Sequence, residues 1–381
     1  MKRLFFFLIL LPLFFTHKQS LQTLFAESLY SPTWGFYIDL PEGYDYTEGD
    51  GKDRFSFSNP QGLMFDLVVY NGRFNSLKDL ASDITTRLSN RGDVDFFQYR
   101  DKQAMIMKLE FGNYDGWALA VELAGSASAK PMLLALSYGT AANKGMDLFH
   151  LSALDSISPT EAELRYPGPL LEYSFPRGNA KNTPLAVRGL TASIRENDAE
   201  ASQVLIEREF AILHQYLNTP YLQAATIRYY RFIYRDSYDR ILNAASVIAN
   251  NLGANSVATD IQKREYAQRS LAFVQGFNYE RDLSGSDFIN LVTAITEGRG
   301  DCDTRAVLFA ILLSRANIRS AIMLSHHYSH AMGLADIPGT GARFETNEDR
   351  WLVAETTAKI NIGLIDQEQS DTRHWFAVLF D

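Results

Sequence analysis

The sequence has 381 residues, of which 46% are hydrophobic and 21% charged, a composition typical of a globular protein long enough for two domains. Its formal net charge of −9 argues against nucleic acid as a partner, because binding to phosphates needs a basic face. The single cysteine, Cys302, excludes an internal disulfide.

The first residues have the pattern of an export signal. Lys2 and Arg3 precede an uncharged apolar run at residues 4–15, which is too short for a comfortable membrane span. We predict that residues 1–28 are a signal peptide cleaved near Ser28, with an uncleaved membrane anchor as the alternative. The protein is therefore expected to be exported, either periplasmic or in the cell envelope, and any association with a membrane or the envelope would be through its N-terminus.

Residues 29–160 are predicted to form an N-terminal α/β domain. The pattern indicates an antiparallel sheet with covering helices, and we expect a binding or spacing module because no catalytic constellation is visible. The order of elements resembles PsbP-like α-β-α sandwich domains, at the level of fold alone. We predict strands at residues 35–40, 54–58, 63–70, 95–99, 104–111, 117–123 and 132–138, and helices at 76–88 and 144–154.

A change of composition marks the boundary between the two halves. Pro and Gly recur through residues 161–190, which we interpret as a linker. Residues 191–381 are predicted to begin with helical segments at 198–251 and 261–277. Aromatic residues and arginines are interleaved at 228–238. In an acidic protein this pattern favours a helix with aromatic core contacts and arginines paired to nearby acids.

Cys302 is the first candidate for chemistry. It follows two glycines, Gly298 and Gly300, and lies just before the segment 305–316. This segment is apolar on nearly every side and is therefore predicted to be a buried central helix. Asp301 or Asp303 can cap this helix. The helix dipole favours a thiolate at Cys302, whereas the two carboxylates oppose it, so the nucleophile would need a cationic partner.

His330 and Glu355 supply the remaining parts of an activated nucleophile. Strand-like segments surround a histidine-containing turn, with His330 at the start of the second strand and Glu355 at the end of a third. A cysteine, a histidine base and a carboxylate that orients the imidazole form this kind of arrangement. Gln275 is a possible hydrogen-bond donor to the oxyanion, although a glutamine that ends a helix is more often only a polar terminus.

These motifs resemble the transglutaminase-like superfamily, a group of papain-like cysteine hydrolases and acyltransferases. The matching pieces are Gly300-Asp301-Cys302-Asp303, Ser329-His330-Ala331 and the segment 351–357, with a further likeness at residues 273–279. The resemblance covers about residues 260–365. It implies an α+β fold with a central Cys helix packed on an antiparallel sheet, Cys302 as nucleophile, His330 as general base and then acid, and Glu355 as the orienting acid. The third position is Asp in most such families and Glu here.

The function expected from this resemblance is acyl transfer on amide bonds of a protein or peptide through a thioester, ending in hydrolysis or transamidation. No cofactor or metal is expected. The alternative is a catalytically silent scaffold used for envelope binding or assembly. His326 and His327 could replace His330 as base, and three neighbouring histidines with Glu355 could bind zinc, although the usual helical zinc motif is absent.

Overall fold

The chain is described from a computed structural model that covers residues 28–125, 130–143, 145–281, 285–346 and 349–380. It has a mixed α+β fold, as the sequence predicts. The predicted export signal falls on residues 1–27, outside the described residues. No helix within the described ranges combines the length and the apolar character that crossing a membrane requires.

Seven antiparallel strands form the sheet of the N-terminal half, in the order β3-β4-β5-β9-β8-β7-β6. A short hairpin, β1-β2, precedes it. The elements of this half are β1 Leu29–Tyr30, β2 Tyr37–Ile38, β3 Asp45–Gly49, β4 Arg54–Ser58, β5 Met64–Tyr70, α1 Leu77–Leu88, β6 Val94–Tyr99, β7 Lys102–Phe111, β8 Tyr114–Glu122, β9 Met132–Thr140, α2 Asp147–Asp155 and α3 Pro169–Ser174.

Helices cover both faces of this sheet. Because side chains alternate along a strand, β7 presents Met105 and Met107 to one face and Ala104 and Ile106 to the other. Helix α1 packs on the first face, and helices α2 and α3 pack on the second. All the predicted strands and helices of this half exist, with ends shifted by a few residues, whereas β1 and β3 were not predicted.

The segment predicted as a linker, residues 161–190, is in fact packed and partly regular. It contains the 3₁₀-helix Glu161–Arg165, helix α3 and the strand β10 Ala180–Pro184. Within α3, Leu170 is buried in the core of the N-terminal half and Leu171 in the core of the C-terminal half. This segment therefore joins the two cores.

The C-terminal half packs helices against a five-stranded antiparallel sheet in the order β16-β17-β15-β14-β18. After β10 its elements are β11 Thr191–Arg195, α4 Asp198–His214, α5 Leu222–Arg240, α6 Leu242–Asn251, α7 Asp260–Gln275, β12 Asn278–Tyr279, α8 Leu291–Glu297, β13 Arg299–Gly300, α9 Cys302–Ser314, β14 Ser320–Ser325, β15 His330–Ala335, β16 Arg343–Glu345, β17 Arg350–Ala354 and β18 Phe376–Leu379.

Helix α9 lies at the centre of this half, as its apolar sequence predicts. Every residue from Thr304 to Leu313 is buried, between helices α5 to α8 on one side and strands β14 and β15 on the other. Gly333 of β15 allows the close approach, since a Cβ there would lie 2.4 Å from the ring of Phe309. The N-terminus of α9 is thereby held against the first residues of β15.

Buried arginines of helix α5 connect the two halves. Arg228 donates to the Glu209 carboxylate at 2.7 Å, to the Ser152 hydroxyl at 2.8 Å and to the Asp39 carbonyl at 2.8 Å. Arg235 donates to backbone carbonyls of the segments 155–157 and 163–166. The prediction of arginines paired with acids on an aromatic helix is thus confirmed.

Glu42, at this junction, is expected to make stability depend on pH. Its Oε1 atom is buried without a hydrogen-bond partner among the described residues, and burial raises the pKa of its carboxyl to about 7, despite the opposing charge of Arg228. The Glu42 carboxyl therefore keeps its proton up to about pH 7 in the folded protein, whereas the unfolded chain releases it near pH 4.5. The wild-type free energy of unfolding should fall as the pH rises from about 4.5 to about 7.

The variant Glu42→Gln removes this titration. Relative to wild type, its free energy of unfolding should increase by roughly 1–3 kcal/mol between pH 4 and pH 8. Urea denaturation at both pH values measures the difference. The same difference at pH 4 and pH 8 would show that folding does not raise the pKa of Glu42.

Candidate active site

The local sequence explains why Cys302 begins a helix. The Asp301 side chain accepts a hydrogen bond from the Thr304 N–H at 2.8 Å, so Asp301 is the residue that caps α9. The Thr304 hydroxyl donates to the Ile289 carbonyl at 3.0 Å, which ties this turn to the segment before α8. Cys302 consequently occupies the first turn, where the partial positive charge of the helix is concentrated.

The Cys302 sulfur is buried between a carboxylate and a strand. Only 7% of the residue is exposed, and Sγ donates to Asp303 Oδ1 at 3.4 Å. The Ala331 N–H of β15 contacts the sulfur from the other side. Burial raises the pKa of the Cys302 thiol, and the charges of Asp303 and Asp301 raise it further, while the Ala331 N–H acts in the opposite direction. Cys302 is therefore a thiol in this resting arrangement.

His330 and Glu355 form a close pair. Nε2 of His330 lies 2.7 Å from Oε2 of Glu355, which directly follows β17. The other carboxylate oxygen accepts the Thr357 N–H at 2.6 Å and the Thr357 hydroxyl at 2.5 Å. Burial alone would raise the pKa of Glu355, but the bonds from His330 and Thr357 outweigh it and lower the pKa to about 2.

The charge on Glu355 determines which nitrogen of His330 can act as a base. A carboxylate only accepts hydrogen bonds, so we assign the ring hydrogen of neutral His330 to Nε2 and the lone pair to Nδ1. The Glu355 side chain reaches the imidazole at hydrogen-bond distance.

Cys302 and His330 are neighbours but do not share a hydrogen bond. Their proximity follows from the Ala331 N–H, one residue after His330, lying against the sulfur, and from the influence of the His330 charge on Asp303. The thiol hydrogen bond goes to Asp303 instead. Catalytic hydrogen bonds are often long in an enzyme without substrate, so the lack of this bond does not by itself exclude His330 as the base.

The side-chain amide of Gln275 is bonded to the loop that follows β17. Its amide nitrogen donates to the carbonyls of Glu355 at 2.8 Å and of Ile360 at 3.0 Å. Both N–H groups of the amide are used by these bonds, so the residue holds the loop that carries Glu355. The structure therefore corrects the prediction that Gln275 donates a hydrogen bond to the oxyanion. In this structure the residue instead holds a loop in place.

Arg305 has a similar positional role that the sequence did not indicate. It is 2% exposed and donates to the carbonyls of Gly300 at 3.0 Å and Phe277 at 2.8 Å, with a longer bond of 3.5 Å to Thr356. It therefore links the residues just before Cys302 with the loop after Glu355. An arginine one turn into an apolar helix was the available signal, because a buried cation must find acceptors.

The other histidines of the turn lie on the surface. His326 and His327 are exposed between β14 and β15, where the His327 ring stacks on His374 at 4.1 Å. Neither joins Glu355. Within the described residues, the side chains that offer clustered metal ligands are those of Asp301, Cys302 and Asp303, whose ligand atoms lie within 4.8 Å of one another. They already hydrogen bond to Thr304, to Tyr230 or to one another.

Comparisons with known proteins add no family. No protein-family model matches the sequence, and no curated protein matches it. A similar solved structure, at 1.50 Å resolution, comes from Bacteroides thetaiotaomicron VPI-5482. It is 12% identical, covers 55% of this chain and 77% of its own, and has a TM-score of 0.24, which carries no argument about fold or function.

Proposed function

We propose that this chain is a transglutaminase-like cysteine enzyme that acts on amide bonds of proteins or peptides through a thioester intermediate. The observation that carries the proposal is the 2.7 Å pair of His330, which begins β15, and Glu355, which follows β17; the Ala331 N–H next to His330 lies beside the sulfur of Cys302. This arrangement supplies a nucleophile, a base and an orienting acid from three separate segments of the chain.

The first step requires transfer of the thiol proton from Cys302 to Nδ1 of His330. The resulting thiolate attacks the carbonyl carbon of the amide, and the carbonyl oxygen becomes an oxyanion. We assign its stabilisation to the Cys302 backbone N–H, because no carbonyl of α9 precedes it as an acceptor. Glu355, a carboxylate bonded to Nε2, stabilises the imidazolium formed at this stage.

The second step releases the amine. His330 gives its proton to the leaving nitrogen, the C–N bond breaks, and the acyl group remains on Cys302 as a thioester. Water or a second amine then attacks this thioester, and His330 takes a proton from the attacking group. The thiol of Cys302 is restored when the proton returns to sulfur. Hydrolysis and transamidation differ only in which nucleophile reaches the thioester.

The remaining parts of the proposal concern fold family and location. A PsbP-like N-terminal sandwich and a papain-like C-terminal domain agree with helices on both faces of the first sheet and with α9 packed on the second. The apolar run at residues 4–15 supports export to the periplasm or cell envelope, with cleavage or anchoring of the leader. The first domain would then serve the enzyme as a binding or spacing module in the envelope.

A silent scaffold is the second candidate. It is favoured by the burial of Cys302 and by the thiol hydrogen bond to Asp303 rather than to His330. A reactive cysteine usually has a lowered pKa, whereas burial and neighbouring acids raise the pKa here. The two candidates differ in one measurable property, the ability of Cys302 to accept an acyl group.

Acylation by p-nitrophenyl acetate tests this property without a known substrate. Between pH 6 and pH 9 we expect release of p-nitrophenol and a mass increase of one acetyl group, since the chain has one cysteine. The Cys302→Ala variant is the control and should gain no acetyl group on the same timescale. If wild type forms no thioester at any of these pH values, the enzyme proposal fails and the scaffold stands.

A further inference from the structure

Asp303 connects Cys302 to helix α5. Its Oδ2 accepts a hydrogen bond from the Tyr230 hydroxyl at 2.6 Å, and its Oδ1 accepts the thiol of Cys302 at 3.4 Å. The Tyr230 side chain is buried in the core around α9. One carboxylate is therefore held at a fixed place beside the sulfur by a residue more than 70 positions earlier in the sequence.

The groups around Asp303 come from several elements. Tyr230 belongs to α5, Asp301 and Cys302 to the start of α9, His330 to β15, and Asp287 to the segment before α8. Tyr279 of β12 also lies near the sulfur. In the described part of the chain, no Lys or Arg forms a salt bridge with either Asp301 or Asp303, but the buried Arg305 guanidinium interacts electrostatically with Asp301 and Cys302. Burial raises the pKa of the Asp303 carboxyl, while the hydrogen bonds from Tyr230 and Cys302 and the charge of His330 act in the opposite direction.

The thiol has a single hydrogen and two neighbours that can accept it. A hydrogen directed at Asp303 cannot at the same time be donated to Nδ1 of His330. A carboxylate is a stronger acceptor than neutral groups, and S–H donors are weak, so a charged partner decides the orientation. Transfer of the proton to His330 must first break the bond to Asp303.

We propose that Asp303, positioned by Tyr230, keeps Cys302 in its protonated, unreactive form until the thiol hydrogen is turned toward His330. This inference rests on the proposed function, because it concerns regulation of the same nucleophile. Direct repulsion by Asp303 and Asp301 also opposes the thiolate, in agreement with the raised pKa of the thiol. The protein would therefore combine an assembled His330–Glu355 pair with a cysteine that stays protonated.

The S–H stretching band in the infrared spectrum tests the bond directly. Because the chain has one cysteine, the band comes from Cys302 alone. In wild type it should lie below the frequency of a free thiol, as expected for a hydrogen-bonded S–H. Asp303→Asn should move the band to higher frequency. Tyr230→Phe should also displace it, whereas Tyr238→Phe, on the same helix, should not.

Alkylation by iodoacetamide as a function of pH gives the second readout. In Asp303→Asn the midpoint should fall by about one pH unit or more, which makes alkylation near pH 7 about tenfold faster than in wild type. Asp287→Asn is the matched control, because Asp287 lies nearby and pairs with Arg281 without bonding to the sulfur. It should change the rate by less than about threefold, a shift well under one pKa unit.

The outcomes separate this inference from the proposed function. A wild-type band at the free-thiol frequency would overturn the inference even if no variant folds. So would a folded Asp303→Asn protein that alkylates no faster than wild type. Neither result depends on acylation, so the inference can fail while Cys302 still forms a thioester, and it can hold while no thioester forms.

Discussion

Replacement of His330 by alanine is expected to slow acylation of Cys302 by p-nitrophenyl acetate by about 10²–10⁴-fold, the range typical for loss of a general base. The thiol of Cys302 is buried beside Asp301 and Asp303, and both charges disfavour the thiolate. Without His330 the protein loses the group proposed to take the thiol proton, together with the positive charge that the resulting imidazolium would place beside the thiolate. Single-turnover kinetics from pH 6 to pH 9 would measure the effect.

Two further variants make this experiment specific. His327→Ala removes an exposed imidazole from the same turn, where it stacks on His374, and should leave the rate within about twofold of wild type. Glu355→Gln should be intermediate, because a glutamine can donate to Nε2 and so favour the wrong tautomer. Since Glu355 stays ionised down to about pH 2, it cannot cause a loss of rate between pH 6 and pH 9. An unaffected His330→Ala variant would exclude His330 as the base.

The regular elements could be predicted because local patterns determine them. Strand-like composition and the turn residues between segments predicted most strands of the first sheet, and an all-round apolar segment identified α9 as a central helix. Strand β3 was missed because all five of its residues are exposed, so no alternation marks it. The segment 161–190 was misread because Pro was taken as a breaker, whereas Pro169 occupies the first turn of α3, where proline is favourable.

The candidate site was predictable only in part. Cys302, His330 and Glu355 lie at element ends that sequence patterns reveal, and the structure brings His330 and Glu355 together. Tyr230 could not be found, because its contact with Asp303 depends on how α5 packs against α9. The direction of the Gln275 amide likewise depends on the loop after Glu355, whose shape no local spacing specifies.

A second large effect is expected at the junction between the two halves of the chain. Arg228→Met should lower the free energy of unfolding by roughly 3–5 kcal/mol, the range for breaking a buried ion pair. Arg228 and Glu209 are almost fully buried, and Arg228 also serves the Ser152 hydroxyl and the Asp39 carbonyl. Methionine fills similar space but leaves all three acceptors without this donor.

Urea denaturation followed by tryptophan fluorescence measures the loss. Trp34 and Trp117 report on the first sheet, and Trp351 and Trp375 on the second. Arg350→Met is the matched control, because its ion pair with Glu345 is exposed on both sides, and it should change stability by no more than about 0.5 kcal/mol. If Arg228→Met lowers the free energy of unfolding no more than Arg350→Met does, the contacts of Arg228 add little to stability.

A double-mutant cycle then separates the ion pair from its other contacts. Arg228→Met with Glu209→Gln should cost less than the sum of the single changes, because the two side chains interact directly and each single change already removes that interaction. Additive costs would show that the backbone and Ser152 bonds, rather than the pair, account for the role of Arg228. In that case the charge-assisted hydrogen bonds from the guanidinium to uncharged acceptors would supply most of what Arg228 contributes to the junction.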